Sequence, residues 1–176
     1  QLACEQIFPE LIDLAESEYG FIGKVHYEGD NPCLHIYAIS DVSWSEETKK
    51  QYELFKQGKL RFTNLNNLFG HVITSNSPVI ANAPRKHQAS KGTPHGHPVL
   101  HRFLGLPIKQ AGKAVGVIGL ANKAEDYLQS DVDFLTPLTD TLANLFRAVE
   151  VEQARFEAEQ RLEYLASTDA LTGLMN

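Results

Sequence analysis

The sequence lacks any apolar run of the roughly 18–20 residues that a helix needs to cross a membrane. Its start has no basic leader followed by a hydrophobic stretch, so we expect no secretory signal peptide. Its 176 residues include two cysteines, Cys4 and Cys33, which are too few for a disulfide scaffold and form no C-x-x-C metal motif. These absences predict a reduced, cytoplasmic chain without membrane contact, and a membrane anchor preceding Gln1 in a longer parent stays open.

An excess of positive charge is also missing. Sixteen lysines and arginines stand against 22 aspartates and glutamates, which gives a formal net charge of −6. Such a chain has no long-range attraction to nucleic acid, and we expect no nucleic-acid partner. Hydrophobic residues make up 43% of the chain, an ordinary globular composition that excludes wholesale disorder.

The first half of the chain alternates between helical and strand patterns. Residues 2–18 predict a helix with Pro9 in its first turn and Gly20 as its stop. A β-hairpin is predicted for 20–28 and 33–40, on either side of the turn sequence GDNP. Further on, the patterns predict a helix capped by Ser45 with Thr48 at the third helical position, a helix at 65–74, and a short strand within 78–84.

Two strands and a long helix are predicted for the second half. The strands FLGLPI and AVGVIGLA join at the tight turn 110–112, and their interior glycines, Gly105, Gly116 and Gly119, predict close approach of a backbone or a ligand. Together the patterns predict an α+β domain with one antiparallel sheet of five or six strands and helices on one face.

The final helix is expected from about 130 to 166, capped by Ser130 with Asp133, and kinked at Pro137 or starting later. Its apolar residues recur every seven positions, which predicts a coiled-coil-like seam through which two copies associate. The residues of this seam are Leu135, Leu142, Val149 and Phe156.

Residues 83–101 are rich in histidine and proline and predict a long loop, a kind of segment that is usually functional or disordered. Three interpretations stay open: a metal site, a lid of surface histidines, and a lid whose His95, His97, His101 and Arg102 face an anionic or polar ligand. No acidic residue or cysteine lies between Pro84 and Lys123 to complete a metal site. Trp44 either stacks on a planar ligand or belongs to the core.

The stretch from about 5 to 148 resembles a GAF domain, the small-molecule-sensing module that precedes output domains in bacterial signalling proteins. The resemblance rests on ESEYGFIGKV, WSEET, NLNNLFGHVITSNSPVIANAP, GHPVLHRFLGLPI and GKAVGVIGLANK. It implies a PAS-like fold with a pocket between the sheet and the 83–101 loop. The ligand-binding residues expected there are Trp44, Asn82, His95, His97, His101, Arg102 and Phe103.

A motif of some cyclic-nucleotide-binding GAF domains is partly present. Asn122, Lys123 and Asp131 match it, Tyr127 stands in place of its Phe, and Val132 stands where the motif has Glu. The resemblance implies that Lys123 and Asp131 form a structural salt bridge.

The last nine residues, TDALTGLMN, are similar to the opening of a GGDEF domain, the diguanylate cyclase module. The implied organisation is a sensory domain at 1–148, a signalling helix at 149–167, and a truncated GGDEF start at 168–176. The resemblance implies that Mg²⁺ and GTP bind in the missing cyclase domain, so the chain itself is expected to hold no cofactor and perform no catalysis. The alternative is a non-sensing dimerisation module with a vestigial pocket.

Overall fold

A six-stranded antiparallel sheet is the centre of the fold, which we describe from a computed structural model for residues 2–28, 31–41, 43, 45–92 and 97–167. The spatial strand order is β3-β2-β1-β6-β5-β4. Its strands are β1 (Tyr19–Glu28), β2 (Asn31–Ile39), β3 (Arg61–Phe62), β4 (Val79–Ala81), β5 (Phe103–Gln110) and β6 (Lys113–Ala121). Trp44, His95 and the GGDEF-like segment 168–176 lie outside the described residues. The predicted α+β sheet is confirmed.

Four α-helices accompany the sheet in the described part of the chain. They are α1 (Leu2–Leu14), α2 (Glu46–Lys56), α3 (Leu68–Ser75) and α4 (Gln129–Ser167), with a short 3₁₀ turn at Pro84–Lys86. The capping prediction for α2 is confirmed, because the Ser45 hydroxyl accepts the Thr48 N–H at 3.2 Å and the Thr48 hydroxyl accepts the Ser45 N–H at 2.9 Å.

Both faces of the sheet are covered, so the expectation of helices on one face is wrong. Every residue of 103–108 and of 116–121 is buried, and successive strand residues point to opposite faces. Val72 of α3 lies against Gly105 on one face, and Ile12 of α1 lies near Leu120 on the other. Strands enclosed on both sides read as continuous apolar runs, which explains the composition of β5 and β6.

The loop-side core lies on the face that α3 covers. It joins strand residues to α2 and α3 and brings three aromatic rings together, with Phe21, Phe62 and Phe69 separated by 5.5–6.2 Å between ring centroids. Its buried members are Val25, Leu34, Ile36, Phe55, Leu60, Leu68, Val72, Val79, Ala81, Phe103 and Val117.

The helix ends differ from the predictions. The first helix ends at Leu14, with Pro9 at its eighth position, and Glu16 reverses the chain in the left-handed region at φ 49°. Gly20 lies within β1 and does not end the first helix. The last helix begins at Gln129, so Ser130 is not its cap, and Pro137 lies inside the helix.

The interior glycines also differ from expectation. A Cβ at Gly105 would overlap Val72 and the Phe103 ring, and a Cβ at Gly119 would overlap the Phe21 ring. Both glycines therefore make room for side chains of the same chain.

The chain divides into two compact units, residues 1–143 and 144–176. In the second unit every side chain of the range 147–165 is exposed. Several of these are large and apolar, namely Val149, Val151, Phe156, Leu162, Tyr164 and Leu165. Among the described residues, no helix has the length and apolarity required to span a membrane.

Candidate functional site

The 83–101 loop leaves the sheet at the end of β4 and returns at the start of β5. Its first part turns through Pro84–Lys86, and the His87 imidazole then accepts the Ala89 N–H at 3.2 Å. Ala89 and Leu100 are half-buried against the loop-side core. The described portion of the loop therefore packs on the sheet at both of its ends.

Two of the candidate histidines are described, and they have different surroundings. The His97 ring meets Tyr19 edge-on at 5.9 Å, and its Nδ1 lies 2.8 Å from the Pro98 carbonyl oxygen, to which it donates. His101 is exposed. Within the described residues, no group of three His, Cys, Asp or Glu side chains is arranged to hold a metal ion.

Arg102 is held at the surface by the segment after β6. Its Nε donates to Asp126 Oδ1 at 2.8 Å, and an Nη donates to the Lys123 carbonyl at 3.3 Å. The Arg102 side chain is 31% exposed. Its proposed role in gripping a ligand stays a prediction, and ligand binding there would compete with Asp126.

Asn82 directly precedes the loop, and Phe103 follows it as the first residue of β5. Phe103 is 5% exposed and belongs to the loop-side core. Asn82 holds both backbone groups of Tyr127: its Oδ1 accepts the Tyr127 N–H at 2.9 Å, and its Nδ2 donates to the Tyr127 carbonyl at 3.0 Å. A role of either side chain in ligand binding stays a prediction.

Lys123 and Asp131 form an ion pair at the start of α4. The Lys123 Nζ lies 2.7 Å from Asp131 Oδ1 and 3.4 Å from Glu16 Oε2. Asp131 Oδ2 also accepts the Leu128 N–H at 2.6 Å, so this carboxylate provides a helix cap that the sequence pattern assigned to Ser130.

The contacts of this pair shift both ionisation equilibria. The hydrogen bond to Asp131 raises the pKa of the Lys123 ammonium above its usual value. Burial raises the pKa of the Asp131 carboxyl, but the hydrogen bonds from Lys123 and the Leu128 N–H outweigh burial and leave the pKa lowered. Both groups are therefore charged at neutral pH.

Asn122 is a site residue that sequence reasoning matched to a motif without assigning it a role. Its backbone is left-handed at φ 58°, and its Oδ1 accepts the His101 N–H at 2.8 Å. Its Nδ2 donates to the Val99 carbonyl at 3.0 Å and to Glu18 Oε2 at 2.9 Å. Asparagine tolerates this backbone conformation better than most residues, and this preference is the signal that could have found it.

A second missed signal lies in the distribution of charge along the chain. Residues 54–124 contain ten lysines and arginines and no aspartate or glutamate. All 22 acidic residues lie outside this acid-free segment. The net charge of −6 therefore hides a strongly basic segment that includes the whole 83–101 loop.

The sequence profile of the GAF domain family matches residues 1–147. This chain belongs to the GAF domain family. The match covers the whole sheet and the first part of α4, which agrees with the domain resemblance identified from the sequence.

A curated relative is 26% identical over 146 residues, which is 82% of this chain and 14% of that protein. It is the methyl sulfide methyltransferase-associated sensor of Methanosarcina acetivorans. The chain thus spans about a seventh of the length of this curated relative.

Solved structures share the fold. The GAF domain of a phosphoenolpyruvate-protein phosphotransferase from Coxiella burnetii has a TM-score of 0.69 at 19% identity, over 87% of this chain and 85% of that one. A free methionine-R-sulfoxide reductase from Thermoplasma acidophilum has a TM-score of 0.63 at 12% identity, over 82% and 90% of the two chains. At these identities the likeness shows a common fold alone.

Proposed function

We propose that this GAF domain is the sensory part of a longer signalling protein and that it controls a downstream diguanylate cyclase domain. In this proposal it binds a small anionic ligand between the sheet and the 83–101 loop, and α4 passes the signal on. The observation that carries the proposal is α4 itself, a 39-residue helix. Along the sequence it continues past the family match at 1–147 and ends at Ser167, directly before the GGDEF-like segment 168–176.

The acid-free segment supports an anionic ligand. The loop and α3 both belong to it, and the cations Arg85, Lys86 and Lys91 are exposed. A surface of one sign raises the local concentration of oppositely charged ligands.

The second unit supports a relay through paired helices. A helix with exposed valine, phenylalanine and leucine side chains gains free energy when a second copy covers them. Two cyclase domains must each present a GTP to the other, so pairing of the helices would control their approach. In this proposal Mg²⁺ and GTP bind to the downstream domain and not to this chain.

Native mass spectrometry of the freshly purified chain tests the ligand. We expect a retained molecule with a phosphate or carboxylate group. Its removal by unfolding and refolding should lower the hydrogen-exchange protection of the loop. A chain that carries no added mass, with a loop already protected as strongly as β5, would contradict sensing.

A second candidate is a non-sensing dimerisation module, and one observation favours it. Phe103 is buried in the loop-side core, and Val72 and the rings of Phe21 and Phe69 occupy the same face. Such a module would still self-associate but would bind no small molecule. The mass-spectrometric result therefore separates the two functions.

A further inference from the structure

The connector, residues 122–128 between β6 and α4, is bonded to both ends of the 83–101 loop. At the entry to the loop, Asn82 makes two hydrogen bonds to the backbone of Tyr127. At the exit, the Asn122 side chain bonds Val99 and His101. Both ends of the loop are therefore joined to the connector by hydrogen bonds.

The connector is in turn fixed to the first turn of α4. Lys123 pairs with Asp131 at 2.7 Å, and the same carboxylate accepts the Leu128 N–H. Tyr127 is 1% exposed, and its hydroxyl lies 2.8 Å from Ser17 Oγ. Buried, hydrogen-bonded groups of this kind have few alternative positions, so a displacement of one partner is transmitted to the next.

We propose that Asn82 and Asn122 couple the loop to the output helix, so that the conformation of the loop sets the stability of the first turn of α4. This inference rests on the proposed function for its biological meaning, but the coupling itself needs no ligand. The Asn122 side chain makes the coupling contacts at the end of the loop, and the Asn82 side chain makes them at its start.

Asn76 provides a matched control for Asn122. It also has left-handed backbone, with φ 54°, and its Nδ2 donates to a backbone carbonyl, that of Gly112, at 2.7 Å. Glycine accepts this backbone conformation, so Asn122→Gly and Asn76→Gly each remove a side chain without straining the backbone.

Hydrogen exchange of the full chain, measured by mass spectrometry, tests the coupling. Asn122→Gly should raise exchange about tenfold in peptides covering 97–103 and 123–135, as expected for the loss of hydrogen bonds that hold local structure. Asn76→Gly should leave both regions unchanged. Faster exchange at 97–103 with no change at 123–135 would overturn the proposal.

A double-mutant cycle separates coupling from local loosening. Leu100→Ala removes loop packing on the loop-side core, against which the Leu100 side chain is half-buried. In the native background it should raise exchange at 123–135, and in the Asn122→Gly background it should add little there. Full additivity of the two changes would contradict the coupling.

Asn82→Ala tests the contact at the start of the loop, and it replaces Asn122→Gly if that variant does not fold. It should raise exchange at 123–135 while the Asn122 contacts at 97–103 persist. Failure to find a bound ligand would reject the proposed sensing and leave these outcomes intact. Conversely, uncoupled exchange in a ligand-binding chain would reject this inference alone.

Discussion

At the residue scale, Lys123 and Asp131 form a close ion pair, 2.7 Å between Nζ and Oδ1, and both side chains are largely shielded from solvent. Its side chains are 15% and 20% exposed, whereas the Arg155–Glu159 pair on α4 has side chains that are 68% and 53% exposed. Solvent screens the second pair and leaves the first comparatively strong. The two pairs therefore make a matched comparison.

Asp131→Asn should lower the free energy of unfolding by about 1–3 kcal/mol, because half-buried Lys123 loses the nearer of its two carboxylate partners and keeps only Glu16 at 3.4 Å. Arg155→Ala should change it by less than about 0.5 kcal/mol, as is usual for an exposed pair. Urea denaturation of the two variants measures both values. Equal effects would show that burial does not strengthen the inner pair.

The same variant predicts a change in acid stability. The pKa of Asp131 is lowered in the folded chain, so its contribution is complete above the unfolded pKa, about 3.9, and is lost as the pH falls through the folded value. Asp131→Asn should therefore flatten the acid side of the stability profile. A curve parallel to that of the native chain from pH 6 to pH 2 would exclude this contribution.

Gly119 offers a residue-scale test of the packing on the loop side. Gly119→Ala should destabilise the chain by about 1–3 kcal/mol, because the added methyl overlaps the Phe21 ring. Phe21→Leu in the same chain should recover part of that loss by making room. Thermal unfolding of the single and double variants measures these stability changes. An unchanged melting temperature for Gly119→Ala would mean that the Phe21 ring moves aside without cost.

The sequence predicted some of these residues and not others, for a physical reason. The spacing of Lys123 and Asp131 matches a known motif, so their pairing was expected. The partners of Arg102 and Asn82 are Asp126 and the Tyr127 backbone, more than twenty positions away. No local pattern encodes such contacts, because the fold creates them.

At the element scale, predictions succeeded where short-range chemistry decides the structure. The cap of α2 and the turn between β5 and β6 both depend on residues within four positions of each other. The predicted end of α1 is wrong, because Gly20 does not end the helix but belongs to β1 and pairs with Leu120 of β6. Tertiary pairing there outweighed the local preference.

The β5–β6 hairpin carries an element-scale prediction. Gln110 pairs with Lys113, so Ala111 and Gly112 form a two-residue turn with φ 47° and 77°, as in a type I′ turn. Alanine is strained in this conformation and asparagine is not. Ala111→Asn should therefore stabilise the chain by about 0.5–1 kcal/mol.

Gly112→Ala is the opposite control for this turn. It should destabilise the chain, because glycine alone accepts φ 77° without steric cost. Thermal melts of the two variants should move in opposite directions. A lower melting temperature for Ala111→Asn would show that the turn geometry is not the one described.

At the scale of the whole molecule, net charge was a poor guide to the candidate site. The value of −6 predicted no polyanionic partner, yet the loop lies within 71 consecutive positions that contain no acid. Composition averages over the chain, whereas a ligand meets one surface. The histidines and prolines predict a long loop at 83–101, but no local pattern predicts the hydrogen bonds that join its ends to the connector.

Self-association is the whole-molecule property that the seven-residue period in α4 predicts. In the first unit this period buries Leu135 and Leu142, and in the second it leaves Val149 and Phe156 49% and 61% exposed. An apolar stripe of this kind is stable in water when another helix covers it. We therefore expect the chain to form dimers through these residues.

Val149→Glu and Phe156→Glu should each weaken the dimer at least about tenfold, because a carboxylate in an apolar seam is buried without a partner. Val151→Glu is the control, since this valine is 63% exposed but lies on the opposite side of the helix from Val149. Sedimentation equilibrium over a range of concentrations measures the three dissociation constants. A monomeric native chain, or equal weakening by Val151→Glu, would show that this stripe is not the dimer seam, and the relay through paired helices would then have no physical basis.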